Sequence, residues 1–158
     1  MAIAKGHLRW LINLWPPFLG AGIRVTQPDW KAIDVEMKLR FWNSNYVGTH
    51  FGGSLYAMTD PFYMLMLIEN PGQDDIVWDK YASVRFRQPG KGKVFAAFRL
   101  SGQQIEELRR ELKTQEKIEP TFAVDVKDET GAVIAEVQKV LRIRKKDRGD
   151  PNRPVIGE

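Results

Sequence analysis

A chain of 158 residues with 43% hydrophobic and 28% charged residues can build one packed core and is too apolar for a disordered segment. It has no cysteine, which excludes disulfides, thiolate metal sites and cysteine nucleophiles together. The net charge of +4 raises the question of nucleic acid, but much of the excess is one C-terminal run of Lys139, Arg142, Arg144, Lys145, Lys146, Arg148 and Arg153. That run reads as a solvated strand end and a loose tail. No RNP, helix-turn-helix or zinc-finger spacing accompanies it, so no nucleic-acid partner is expected.

His7 to Trp15 carries Leu8, Leu11, Ile12 and Trp15 at helical spacing and predicts a short amphipathic helix, which Pro16 and Pro17 stop. Lys5 and Arg9 lie near its start, but Asn13 and the two prolines break up the apolar run behind them, which makes a poor signal peptide. The uncharged stretches Leu11–Ile23 and Pro61–Ile68 both fall short of the roughly 20 apolar residues of a membrane span. A cytoplasmic protein is expected.

Ile23 to Gln27 predicts a short strand, and Pro28-Asp29 a turn into a hairpin. In the next strand Ile33, Val35, Met37, Leu39 and Phe41 fall on one face, against Asp34, Glu36, Lys38 and Arg40 on the other. Alternation this strict means one wet face and one buried face, hence an antiparallel sheet covered on one side. Asn45 to Asp60 then begins as a polar, glycine-bearing loop and leads into the charge-free run Pro61–Ile68. This stretch predicts one apolar central helix. It carries His50, the Gly52-Gly53 pair and a lone carboxylate, Asp60.

Asn70–Asp75 is turn chemistry, Ile76–Gln88 a long strand, and Pro89–Gly92 a turn back into Val94–Leu100. Ser101 and Gln104 make a capping box for a surface helix running to about Glu116, with Ile105, Leu108 and Leu112 on its apolar stripe. Pro120 starts a strand with Phe122, Val124 and Val126 on one face, and Asp128–Gly131 turns it into a return strand from Ala132 to about Arg144. That last strand would span about 40 Å, so it must curve or bulge. No repeat or linker divides the chain. It reads as one α+β domain with a core over about 20–144, a helical N-terminus and a loose tail from 145. Six antiparallel strands wrap one apolar helix, burying Phe62, Tyr63, Leu65, Met66 and Ile68. Apolar residues on both faces of Val94–Phe98 point to a second subunit.

A helix preceded by Gly-Gly, with an acid eight residues after the first glycine and an antiparallel sheet around it, resembles the hotdog fold. Within that fold the chain is most similar to acyl-CoA thioesterases of the phenylacetate-degradation type and to a related group of uncharacterised hotdog proteins. The likeness covers roughly residues 20–144. It rests on His50 to Asp60 (HFGGSLYAMTD) and on Val84 to Gly92 (VRFRQPGKG). It implies a homodimer, or a pair of such dimers, with active sites between subunits and acyl-CoA in the crevice. No cofactor is implied beyond the CoA carried by the substrate. The Gly53 N–H would meet the thioester oxygen, and Asp60 would act as base or nucleophile. Asn45 would hydrogen-bond the thioester or the attacking water. Gly52 and His50 would lie against the substrate, with Arg85, Arg87 and Lys91 on the CoA phosphates.

Elementary chemistry allows these roles. The first N–H groups of a helix are unpaired and partly positive, glycine admits a close carbonyl, and desolvation against an apolar wall would raise an aspartate toward the range of a general base. Each residue also has a plainer reading. Asp60-Pro61 is what a helix cap and its first residue look like. Gly52, Gly53 and Asn45 are turn formers, and strand cations commonly face solvent. His50 departs from the thioesterase pattern, in which histidine directly precedes the glycine pair, because Phe51 intervenes. Val47–Gly53 also resembles the loop of hotdog dehydratases, but the helix acid those enzymes need falls at Met64. Two distant histidines make no metal site. The expected activity is acyl-CoA thioester hydrolysis; the alternatives are a non-catalytic acyl or CoA-binding module and an acyl-thioester dehydratase.

Overall fold

The computed structural model describes residues 11–70 and 75–145. The start of the expected N-terminal helix, most of the Asn70–Asp75 turn and nearly all of the basic tail lie outside the described residues. Among the described residues a 3-10 turn (Ile12–Leu14) and four α-helices, α1 (Pro16–Ala21), α2 (Gly52–Ala57), α3 (Phe62–Glu69) and α4 (Gly102–Thr114), accompany one antiparallel sheet. Its strands are β1 (Ile23–Asp29), β2 (Ala32–Lys38), β3 (Asp75–Phe86), β4 (Lys93–Arg99), β5 (Lys117–Ile118), β6 (Thr121–Asp128) and β7 (Val133–Lys145). They run in the order β1-β2-β4-β6-β7-β3. The strand beyond the expected six is β5, whose two residues pair with Arg144 and Ile143 of β7.

Pro16 and Pro17 do more than stop the first helical segment. They occupy the first two positions of α1, where a missing N–H costs nothing, and Gly22 closes that helix at φ 72°. In β2 the alternation holds through Met37, but the strand ends at Lys38, and Phe41, expected on the buried face, is 89% exposed. Asn43 accounts for the early end. Buried, it accepts the Arg40 N–H at 2.6 Å and donates to the carbonyls of Ala21 and Lys38 at 2.8 and 3.0 Å, folding the chain out of the sheet.

The single central helix is two. α2 ends at Ala57 and α3 begins at Phe62, because Pro61 has no N–H to continue the ladder. α3 lies on the concave sheet face with Phe62, Tyr63, Met66 and Leu67 buried, whereas Ile68 is exposed and Leu65 half-buried. The Phe62 ring lies 4.9 Å from Phe98 and 5.8 Å from Phe18. Tyr63 stacks on Phe122 at 4.6 Å and donates its hydroxyl to the Ala123 carbonyl. Each such ring contributes roughly 1.5–3 kcal/mol by burial, so this pairing sets where the α2–α3 break sits over the sheet. α4 keeps both hydrogen bonds of its capping box and buries Ile105, Leu108 and Leu112.

The long strand β7 pairs with β3 and β6. The irregularity expected of it shows as two register shifts, one against β3, where Lys80 is the extra residue between Asp79 and Tyr81, and one against β6, where Ile134 of β7 itself is extra opposite Val126 and Lys127. In β4 only one face is buried: Val94, Ala96 and Phe98 point inward, and Phe95 and Ala97 outward.

Candidate functional site

The glycine loop is built around side chains that fix its backbone. Asn45 Oδ1 accepts the N–H groups of Val47 and Thr49 at 3.1 and 3.0 Å, and its amide donates to Thr49 Oγ1. His50 is buried. Its N–H donates to the Gly90 carbonyl, and Nε2 lies 3.0 Å from the Gly92 carbonyl. A carbonyl can only accept, so Nε2 carries the proton and Nδ1 is left without a partner. Burial holds the imidazole pKa below its ordinary value. His50 thus pins the loop to the β3–β4 turn.

The glycine pair follows from two aromatic rings. A Cβ on Gly52 would stand 3.0 Å from the tip of Phe86, and one on Gly53 2.5 Å from the ring of Phe51. The N–H groups of Gly52 and Gly53 open α2 and have no partner among the described residues, while Ser54 and Leu55 already donate to Phe51. A cavity of ≈ 470 Å³ beside this helix start is lined by Asn45, His50, Gly52, Phe86 and Arg87, among others. Four of the sequence-predicted site residues therefore meet in one place. Arg87 pairs with Glu136 at 2.8 Å. Arg85 lies in a separate hollow with Ser83, Asp125 and Glu136, and Lys91 is exposed on the β3–β4 turn.

Asp60 stands at the other end of α2. It does not cap α3, whose N-cap is Pro61 with no side-chain bond. Nor does it lie against an apolar wall. Its side chain is 43% exposed, and Oδ1 accepts both the Tyr56 hydroxyl at 2.7 Å and the Lys139 ammonium at 2.9 Å. Lys139, expected on a solvated strand end, is only 1% exposed at its side chain. Period-two alternation in β7 turns it inward with Ala135, Val137, Leu141 and Ile143, and only pairing makes its burial tolerable. Nζ also donates to the Asp60 carbonyl and, at 3.0 Å, to Asp79 Oδ2. Burial pushes the Asp79 carboxyl up from its ordinary value, against the opposing pull of Lys139, and its Oδ1 is buried without a partner. Burial, reinforced by the bond to Asp60, pushes the Tyr56 phenol up as well.

Sequence reasoning missed Lys139, Asp79 and Tyr56. The available signal was a lysine at an inward position of an apolar alternation, and a tyrosine four residues before Asp60, one helical turn away. Among the described residues no three His, Asp or Glu side chains cluster as a metal site. No helix among them is long and apolar enough to cross a membrane.

The two clusters are separated along one strand. Gly52 rests against Phe86 and Asp60 reaches Asp79 through Lys139, and these β3 residues stand about 20 Å apart. β3 pairs with β7 alone, so its outer edge is unpaired among the described residues.

The profile of the family described as Domain of unknown function (DUF4442) matches residues 5–143. No curated protein matches the chain at a significant level. Among solved structures, PA5026 of Pseudomonas aeruginosa, a protein of unknown function named a probable thioesterase, is 24% identical with a TM-score of 0.79; the match covers 92% of this chain and 98% of that one. The thioesterase HI1161 of Haemophilus influenzae is 13% identical over 92% of this chain and 93% of its own, at 0.65. OLEI01261 of Chlorobaculum tepidum, of unknown function, is 13% identical over 90% and 94%, at 0.70. At these identities the likeness is one of fold, and that fold is the hotdog.

Proposed function

Because this chain belongs to the DUF4442 family and shares the hotdog fold with proteins named thioesterases, we propose that it hydrolyses acyl-CoA thioesters at a site shared by two copies. The observation that carries this reading is the placing of a free helix start and a half-exposed carboxylate at separate points along one edge strand, β3, whose outer side is unpaired among the described residues. Pairing β3 with a second β3 about a twofold axis, antiparallel, can set Asp79 of one copy opposite Phe86 of the other. Asp60 of one copy then comes to the glycine start of its partner across strands about 4.8 Å apart. The exposed Tyr81 and Phe86 on that strand would gain cover.

In the reaction, the thioester carbonyl accepts the Gly53 N–H, and Asp60 takes a proton from the water that attacks the carbonyl carbon. The new C–O bond forms, the C–S bond breaks, and the departing thiolate takes up the proton to give free CoA and the carboxylic acid. Asn45 and His50 hold the loop in shape, and Arg87 in the cavity lining and Lys91 on the adjoining β3–β4 turn are the cations offered to the CoA phosphates. One observation favours the non-catalytic acyl-binding alternative: Asp60 is already ion-paired. Turnover separates the two.

The experiment mixes two variants. Asp60→Asn and Gly53→Ala should each release little CoA from a panel of short, medium, long and aryl acyl-CoAs. Refolded together, they should recover about one quarter of wild-type turnover, since half of the dimers are mixed and each holds one intact site of two. Full turnover in Asp60→Asn would refute the mechanism, and two inactive variants that never complement would refute the shared site.

A further inference from the structure

We propose that Lys139 is a positioning residue of this site, fixing the Asp60 carboxylate so that Oδ2 alone stays free for the substrate. The inference rests on the thioesterase reading and goes beyond it, because nothing in hydrolysis by a carboxylate requires a buried cation. An ammonium has three N–H donors, and Lys139 finds three acceptors in the Asp60 carbonyl, Asp60 Oδ1 and Asp79 Oδ2. Two of the three belong to Asp60, one on its backbone and one on its side chain. A single cation therefore sets both the place of the residue and the rotation of its carboxyl group.

The place matters because Asp60 lies in the break between α2 and α3, which Pro61 keeps free of the helical ladder. With the Tyr56 hydroxyl also on Oδ1, both lone-pair directions of that oxygen are taken. Oδ2 has no hydrogen bond among the described residues, and the side chain is 43% exposed. Asp79 holds the ammonium from the β3 side. The one ammonium is shared between two carboxyl groups, and of the Asp60 oxygens only Oδ2 is left without a hydrogen bond among the described residues.

Packing alone does not call for a lysine here. Neighbouring inward positions of β7 are Val137 and Leu141, and an apolar residue of like volume at 139 would avoid desolvating an ammonium. What an apolar side chain cannot do is hold Asp60.

A kinetic double-mutant cycle tests this on the purified full chain. Lys139→Met should lower kcat about 10- to 100-fold with KM changed less than about threefold, because the loss falls on the transition state. In the Asp60→Asn background the same substitution should cost no further turnover, since Lys139 acts only through Asp60. The chain has no cysteine, so Lys139→Cys alkylated with 2-bromoethylamine while unfolded, then refolded, restores an amine at this position alone and should recover most of kcat. An unchanged kcat in Lys139→Met, or equal losses in both backgrounds, would overturn the proposal. Should Lys139→Met not fold, Tyr56→Phe removes the second Oδ1 donor from a half-buried position and is read in the same cycle. Absence of wild-type turnover strikes the thioesterase reading instead. The carboxyl ¹³C resonance of Asp60, identified by its loss in Asp60→Asn, then decides the hold: it should move in Lys139→Met, and a resonance that stays put refutes it.

Discussion

Gly53→Ala separates the chemistry of the glycine loop from its contribution to folding. The added methyl would stand 2.5 Å from Cε1 of Phe51, so that ring must swing aside. Phe51 is 56% exposed, and displacing it costs roughly 0.5–1.5 kcal/mol of rotamer and contact energy. Replacing glycine by alanine in α2 returns up to about 1 kcal/mol of backbone entropy and helix propensity. The two nearly cancel, and net stability should stay within about 1 kcal/mol of wild type, a shift of at most about 4 °C in Tm for a domain of this size. The effect on catalysis should be far larger. If the thioester oxygen sits on the Gly53 N–H, the methyl and the displaced ring block its approach, and losing one such donor costs about 10²- to 10³-fold in kcat. Paired thermal melts and thiol-detected CoA release measure both quantities on one preparation. A variant that melts like wild type and keeps more than half of its kcat would refute the oxyanion role of this loop.

Gly52→Ala should instead be limited by Phe86, whose ring tip would lie 3.0 Å from the new methyl; it should destabilise by about 1 kcal/mol, with Phe86→Leu in the same chain relieving the loss. His50 makes acid sensitivity predictable. Its folded pKa lies below the ordinary 6.5, so the unfolded chain binds a proton first as pH falls, and stability drops from about pH 6.5 down to the folded value. His50→Gln should flatten Tm against pH across that window, and an unchanged slope would count against the buried neutral ring. Ser101→Ala removes one half of the α4 capping box and should cost about 1 kcal/mol, or about 2–4 °C, with CoA release untouched because α4 carries no site residue.

Much of the architecture was legible in local chemistry. Alternation at Ile33, Val35 and Met37 and at Phe122, Val124 and Val126 pointed to a one-sided antiparallel sheet, because period two assigns each side chain a face without knowledge of its neighbours. The Ser101–Gln104 box and the turn at Asp128–Gly131 are equally local, and each lies where hydrogen-bond geometry demands it. The glycine pair and Asp60 stood out in the sequence for their composition alone. Sequence could not say what those residues touch. Phe41 continued the β2 alternation on paper and left it in the fold, because Asn43 found carbonyls at Ala21 and Lys38. Lys139 looked like one more cation in a basic run. Its burial is decided by the register of β7 between β3 and β6, and its partner Asp60 lies 79 residues away along the chain. An ion pair depends on where two side chains end in space, which no spacing within a strand encodes. The sequence by itself therefore determined the sheet, the apolar helical segment and the loop chemistry. Tertiary packing alone joined Asp60 to Lys139 and Asp79, since only the folded sheet brings these charges within hydrogen-bonding distance.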